Sequence, residues 1–247
     1  MAKYQHDIVV PYSDSLLSKK EQVAGMFNDI AYRYDFLNRF LSAGIDVTWR
    51  KKALHQLETL SPSRILDVAT GTGDVAIMAL KKFPEAHITG IDISQGMLEL
   101  GRKKVSQAGF QNSIDLLNED IEAINFKNDS FDAVTVAFGV RNFEHLEKGL
   151  AQIYRVLRPG GRVVILEFSK PSAPVIKSFY NFYMKTVTPF MGRLFSKNGC
   201  AYEYLDESIR AFPEGKNFIQ ILEKSGFLKP QFKTLSFGIC SIYCAEK

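Results

Sequence analysis

Cysteine is scarce in this chain. Only Cys200, Cys240 and Cys244 occur, an odd count without paired spacing, which excludes a disulfide framework and a thiolate zinc site and fits a reducing cytoplasm. Cys240 and Cys244 fall on one face of a strand-like run, about 13 Å apart at strand rise, so both read as buried thiols rather than a bonded pair. No run of about 18 apolar residues exists to span a bilayer, and the first 17 residues lack the apolar segment of a signal peptide. The chain therefore reads as soluble or surface-bound. A block of one charge sign is missing too: the net charge of +4 is spread along the sequence, and no Lys/Arg cluster resembles a nucleic-acid arm. Internal repeats and low-complexity tracts are also absent.

What is present suits one globular domain with additions: 247 residues, 46% hydrophobic and 23% charged. In "VAGMFNDIAYRYDFLNRFLSAGIDVTWRKKALHQL" apolar residues recur at helical spacing and Gly44 interrupts them, predicting two or three helices. From Arg64 short β-rich runs alternate with helical ones: "RILDVA", a helix from Asp74, "HITGIDI", a helix from Gln95, "IDLLNED", "FDAVTVAF", a helix from about Glu144, and "RVVILEF". That alternation predicts an α/β fold with a doubly wound parallel sheet, because each parallel crossover needs a helix. The aromatic stretch after "LEFSKP" breaks the rhythm and reads as an insertion over residues 171–199. A last helix, about Gly215 to Ser225, precedes two strand-like runs that meet at Gly238 and predict an antiparallel pair.

The stretch "ILDVATGTGDVAI" places Gly71 and Gly73 directly after the first strand. With Ala76 they satisfy the dinucleotide pattern G-x-G-x-x-G/A, and Asp92 lies 21 residues beyond Gly71. A nicotinamide-dinucleotide oxidoreductase is therefore one reading, and a tight turn without a ligand is another. The neighbouring charges favour a third. Asp67, Asp92 and Asp120 each fall at the C-terminal end of a strand, where open α/β sheets bind ligands, and Asp74 opens the next helix. A diphosphate would be repelled there. S-adenosylmethionine carries a sulfonium and an ammonium and no phosphate, and it suits the site. Asp74 needs no ligand, since an acid at a helix N-terminus is stabilised by the dipole. Position then sets the expected roles. Gly71 and Gly73 admit the methionine part, Asp67 lies near its ammonium, and Thr72 offers a hydroxyl and an N–H. Asp92 accepts from the ribose, Met97 lies on the adenine face or in the core, Asp120 and the N–H of Ile121 meet the adenine edge, and Ala137 closes the sulfonium side.

"VAGMFNDIAYRYDFLN", "LSAGID..WR", "LDVATGTGD", "FGVRN", "RVLRPGGR" and "LEFSKP" together resemble the C-methyltransferases of menaquinone and ubiquinone biosynthesis, from about residue 21 to the C-terminus. "FGVRN" with "LEFSKP" is far more specific than the glycine loop. The resemblance implies a class I S-adenosylmethionine-dependent methyltransferase fold, with a mostly parallel seven-stranded sheet, helices on both faces and an antiparallel C-terminal strand. It implies transfer to a ring carbon of a polyprenylated quinol, demethylmenaquinol to menaquinol first and the ubiquinone-pathway counterpart second, with donor contacts at Thr72, Asp92, Asp120 and Ile121; a methyltransferase of the same fold acting on another small or lipid acceptor is the alternative. Residues 1–60 would form a helical cap over the acceptor cleft and 61–247 the methyltransferase domain. Two departures stand out: Ala69 and Thr70 precede Gly71 where glycine-richer loops are usual, and Asp46 stands where many members have His.

A ring carbon becomes nucleophilic only when an adjacent hydroxyl loses its proton, so the site must favour a phenolate and aim that carbon at the methyl. No His, Cys or Lys in the quoted motifs is an evident strong base. Arg141 and Asn142 in "FGVRN" are the expected catalytic pair, Arg141 stabilising the phenolate or polarising a water and Asn142 orienting either. Their alternatives are a surface ion pair for Arg141 and a helix N-cap for Asn142. Tyr34 closes over the donor or packs, and His145 belongs to the first turn of a helix. In the insertion, Phe179, Tyr180, Phe182, Tyr183, Phe190 and Phe195, with Lys177, Lys185, Arg193 and Lys197, read either as a lid that touches an anionic membrane surface or as a helix packed on its own core. The expected partners are thus the quinol and, peripherally, the inner face of the membrane. A homodimer is left open, and neither metal nor nucleic acid is expected.

Overall fold

The computed structural model describes residues 4–171 and 200–247, with Pro174 and Ser178 between them. Strand β1 (Arg64–Val68) is buried on both faces from Ile65 onward and apolar there except for Asp67, as suits the centre of a parallel sheet. Strands β2 (His87–Asp92) and β3 (Ile114–Asn118) extend the sheet on one side of it, and β4 (Phe131–Ala137) and β5 (Leu157–Phe168) on the other, all parallel. Strands β6 (Leu228–Leu235) and β7 (Cys240–Glu246) form the terminal antiparallel pair, with β7 inserted against β5 and β6 left at the edge. The seven strands run in the order β3-β2-β1-β4-β5-β7-β6. Beside β1 the order reverses, and ligands of such sheets bind outside the strand ends at that point.

The helices lie in two layers. Before the sheet come α1 (Lys19–Leu41) and α2 (Ile45–His55), and the crossovers are α3 (Asp74–Lys82), α4 (Gln95–Gln107) and α5 (Leu146–Val156). After the insertion come α6 (Cys200–Ala211) and α7 (Lys216–Lys224). Side chains alternate along a strand, so Leu66 and Val68 pack with Leu150 and Ile153 of α5 and Phe218 of α7. Ile65 packs on the other face with Leu54 of α2, Ala76 of α3 and Leu98 of α4. Two boundaries differ from the sequence expectation. Strand β5 begins at Leu157, which pairs with Phe131 before a register shift lets Arg162 pair with Ala133, so "LRPGG" is an irregular start to the strand. Helix α5 begins at Leu146, past Glu144.

Cys240 and Cys244 are buried and unbonded on β7. Burial pushes the Cys244 thiol up to about 11 and Cys240 well above its ordinary value, so both are inert at neutral pH. The aromatic and cationic residues assigned to a lid within 171–199 lie outside the described residues.

Candidate functional site

The turn from β1 into α3 carries three left-handed residues, Ala69 (φ 53°), Gly71 (φ 57°) and Gly73 (φ 78°). Glycine adopts that backbone freely, whereas Ala69 carries strain. The turn delivers the Gly71 N–H to Asp92 Oδ2 at 2.8 Å, while the Ser94 N–H reaches Asp92 Oδ1 at 2.8 Å. Each carboxylate oxygen keeps a further lone pair for a ligand. Burial pushes the Asp92 carboxyl above its usual range, against the pull of those N–H groups. Asp92 and Gly71 line a cavity at the strand ends together with Met97, Asp120, Ile121 and Ala137. Asp92, Glu119, Asp120, Glu122 and Glu144 contribute five carboxylates to its wall against one cation, Lys20. Lys20 Nζ lies 2.9 Å from Asp120 Oδ2, and Asp120 Oδ1 accepts the Glu122 N–H at 2.9 Å.

Three of the expected donor residues stand apart from both cavities described here. Asp67 is buried and receives the hydroxyls of Thr70 (2.6 Å) and Thr135 (2.6 Å) on its two oxygens, so it pins the turn. Burial lifts its carboxyl to about 6 despite those bonds. The Thr72 hydroxyl donates to Asp35 Oδ1 (2.6 Å) and accepts from Lys104 Nζ (3.1 Å). Gly73 turns toward Leu116 and Gly101, where an added Cβ would meet them at 3.7 and 3.9 Å.

Helix α1, expected as part of a cap over the acceptor cleft, lies across the cavity at the strand ends. Its Val23, Phe27 and Tyr34 line the cavity at the strand ends. Asn28 Oδ1 accepts the Gly96 N–H (2.9 Å) and the Ser94 hydroxyl (2.8 Å) at the start of α4, and Asp35 holds Thr72 and Lys104. Asn28 and Asp35 are seven residues apart and share a helical face. That polar pair inside an apolar-periodic segment was the available signal.

A second cavity of about 360 Å³ adjoins the first, and Phe27, Tyr34 and Phe138 line both. Tyr34 packs edge-on against Phe27, ring centres 5.8 Å apart, and burial raises its phenol. Arg141 lines the larger cavity and is far from a surface ion pair. Its Nη1 donates to Glu167 Oε1 (2.8 Å) and Phe138 O (2.6 Å), and its Nε to the Ser208 hydroxyl (3.3 Å). The two charged side chains are 6% and 0% exposed, and removing one partner of such a pair costs about 3–5 kcal/mol. Asn142 lines the cavity at the strand ends and accepts from the hydroxyl of Tyr204, which lines the larger cavity (3.1 Å). It caps no helix, since His145 holds the N-cap position of α5. Glu122, Glu144 and His145 cluster nearby, but Glu122 is spent on the N–H (2.7 Å) and Nδ1 (2.9 Å) of His145. Asp46 is buried among Arg39, Arg50 and the Ser42 hydroxyl (2.8 Å).

The chain is similar to known proteins in sequence and in fold. The profile of the ubiE/COQ5 methyltransferase family matches residues 16–247. The chain is 46% identical over 244 residues to a demethylmenaquinone methyltransferase of Bacteroides fragilis, covering 99% of each. It is 46% identical over 233 residues to a ubiquinone/menaquinone biosynthesis C-methyltransferase of Geobacter sulfurreducens, covering 94% of this chain and 91% of the other. Among solved structures, a SAM-dependent methyltransferase of Thermotoga maritima superposes with a TM-score of 0.64 at 16% identity, covering 90% of this chain and 98% of its own. A [4+2]-cyclase superposes at 0.60 with 15% identity, covering 92% and 96%. Such likenesses establish the fold, and the cyclase shows that the fold alone does not set the reaction.

Proposed function

Because the chain belongs to the ubiE/COQ5 methyltransferase family, we propose that it moves the methyl group of S-adenosylmethionine to a ring carbon of a polyprenylated quinol, converting demethylmenaquinol to menaquinol. The observation that carries this reading is the pair of adjoining cavities, one acidic at the strand ends and one large and apolar, with Phe27, Tyr34 and Phe138 as their common wall. A transferase needs such a junction.

The donor cavity fits S-adenosylmethionine by its chemistry. Five carboxylates against one ammonium oppose a pyrophosphate and favour a cation. When bound, S-adenosylmethionine supplies an electrophilic methyl on a sulfonium. Asp92 would accept from the ribose hydroxyls with its two free lone pairs, and Asp120 with the Ile121 N–H would meet the adenine edge. Met97 would pack on the adenine face, and Ala137 would border the sulfonium side. Asp67 and Thr72 act through the turn they hold, Asp67 from β1 and Thr72 by tying it to α1.

On the acceptor side, Arg141 stabilises the phenolate oxygen through the N–H groups left over from Glu167, Phe138 and Ser208. A pre-aimed donor in a dry cavity is worth far more than one in water. Asn142, joined to Tyr204, orients the ring or a water beside it. The apolar walls exclude bulk water and house the start of the prenyl chain. Peripheral contact with the membrane would give that chain its source. Anaerobic transfer of labelled methyl tests the reading, with demethylmenaquinol and its benzoquinol counterpart compared as acceptors. Transfer to the first supports it, and transfer to neither overturns it.

A further inference from the structure

Arg50 is the second guanidinium of the apolar cavity, and none of the roles above employs it. It sits on α2, is 6% exposed, and lines the cavity. Its Nη1 is bonded to Asp46 and lies 4.0 Å from Asp74 Oδ2, while its Nε and Nη2 have no acceptor among the described residues. Neither nitrogen is among the fully buried atoms left without a partner, so both are reached from the cavity that Arg50 lines and are open to an acceptor there. Asp46 does not depend on Arg50 alone, because Arg39 and the Ser42 hydroxyl also hold it.

The setting of Arg50 mirrors that of Arg141. The Arg50 guanidinium lies 5.6 Å from the centre of the Phe138 ring, and the Arg141 guanidinium 5.6 Å from that of Phe168. The two rings pack on each other with centres 4.6 Å apart. Each cation is thus set over one ring of a shared aromatic platform, and Phe138 belongs to the wall facing the donor. Phe138 holds a left-handed backbone (φ 60°), and its N–H is fixed to Leu166 O at 2.7 Å. A residue kept in that conformation is held by its surroundings.

We propose that Arg50 binds the ring oxygen para to the one that Arg141 stabilises, so that the cavity selects rings bearing two oxygens in 1,4 relation. This rests on the quinol reading above and adds to it. One oxygen, beside the accepting carbon, loses its proton near Arg141. The distal oxygen keeps its proton and accepts from Nε or Nη2 of Arg50, which fixes the ring's rotation and the carbon that is presented.

The test pairs a change in the protein with a change in the acceptor. A short-tailed 2-prenyl-1,4-naphthoquinol is compared with 3-prenyl-1-naphthol, which keeps a free carbon beside its hydroxyl and lacks the distal oxygen. Comparing the ratio of kcat/KM values in wild type and in Arg50→Met cancels the intrinsic difference in ring reactivity. The wild-type preference for the quinol is expected to fall by about tenfold or more in Arg50→Met, as for one charge-assisted hydrogen bond. The loss falls on the quinol alone, with the naphthol and the affinity for S-adenosylhomocysteine little changed. Arg50→Lys, which keeps the charge but not the fork, shifts the ratio less and in the same direction. Equal losses for both acceptors would mean that Arg50 only supports the fold, and would overturn the proposal. Transfer to neither ring by the wild type would instead overturn the quinol reading on which it rests.

Discussion

Replacing Asp92 by Asn separates what that side chain does for the turn from what it does for the donor. In the free protein both oxygens are engaged, one by Gly71 N–H and one by Ser94 N–H, each at 2.8 Å. Asparagine keeps one oxygen and sets its NH2 against the other backbone donor, which then loses its acceptor at a cost of about 1–3 kcal/mol. That cost appears in the unliganded protein as a lower melting temperature. The donor loses at least one charge-assisted hydrogen bond from its ribose, about 1.5–3 kcal/mol, so Kd should rise roughly 10- to 150-fold. The pH dependence follows with the same sign. Burial holds the Asp92 carboxyl above its usual range, and the carboxylate is the accepting form. Wild-type affinity should therefore weaken as pH falls, from a higher pH than an ordinary carboxylate would give, and Asp92→Asn should lack this dependence. Calorimetric titration with S-adenosylhomocysteine across pH, beside thermal melts, measures both. A lowered melting temperature with unchanged Kd would leave Asp92 a purely structural role and refute the assignment.

Gly139→Ala should be destabilised by about 1–3 kcal/mol, the usual cost of overpacking, because the added Cβ would fall 2.4 Å from that of Ala69. Ala69→Gly in the same chain should restore stability in urea titration, since it removes the clash and relieves the left-handed backbone of Ala69; a double variant no better than the single one would contradict this. His6 is completely buried, and burial together with Lys19 pushes its imidazole down to about 4. Its contribution is present above the ordinary histidine value and is lost as pH falls from there through 4, because the unfolded chain takes up the proton first. His6→Leu should therefore lose less stability than wild type between pH 6.5 and 4, and parallel losses in urea titrations would contradict it.

The sheet was legible because its evidence is local. Apolar runs ending in Asp67, Asp92 and Asn118, separated by helical spacing, announce parallel strands, and the glycine turn announces where a ligand enters. The same local evidence started the fifth strand too late, at "RVVILEF", although Leu157 is already paired with Phe131. Side-chain partners distant in sequence were not legible. Thr72 was expected to offer its hydroxyl to the donor, but it meets Asp35 from a helix 37 residues earlier. Asp67 was expected at an ammonium, yet Thr135 and Thr70 enclose it. Arg141 was expected to be a catalytic cation from "FGVRN", but its buried partner Glu167 belongs to a strand that the motif does not announce. That pairing also bears on how Arg141 is tested. Truncation to Ala leaves Glu167 buried without its partner, so a loss of activity would report folding along with chemistry.

The central claim, methylation of a ring carbon made nucleophilic by loss of an adjacent hydroxyl proton, is tested most directly by the redox state of the acceptor. A quinone has carbonyls where the quinol has hydroxyls, so it has no proton to lose and an electron-poor ring that Arg141 cannot activate. Labelled methyl transfer should be measured anaerobically with demethylmenaquinone, with and without a reductant that converts it to the quinol. Incorporation is predicted only with the reductant, rising with pH as the phenolate becomes accessible. Comparable incorporation into acceptor kept oxidised throughout would contradict the account.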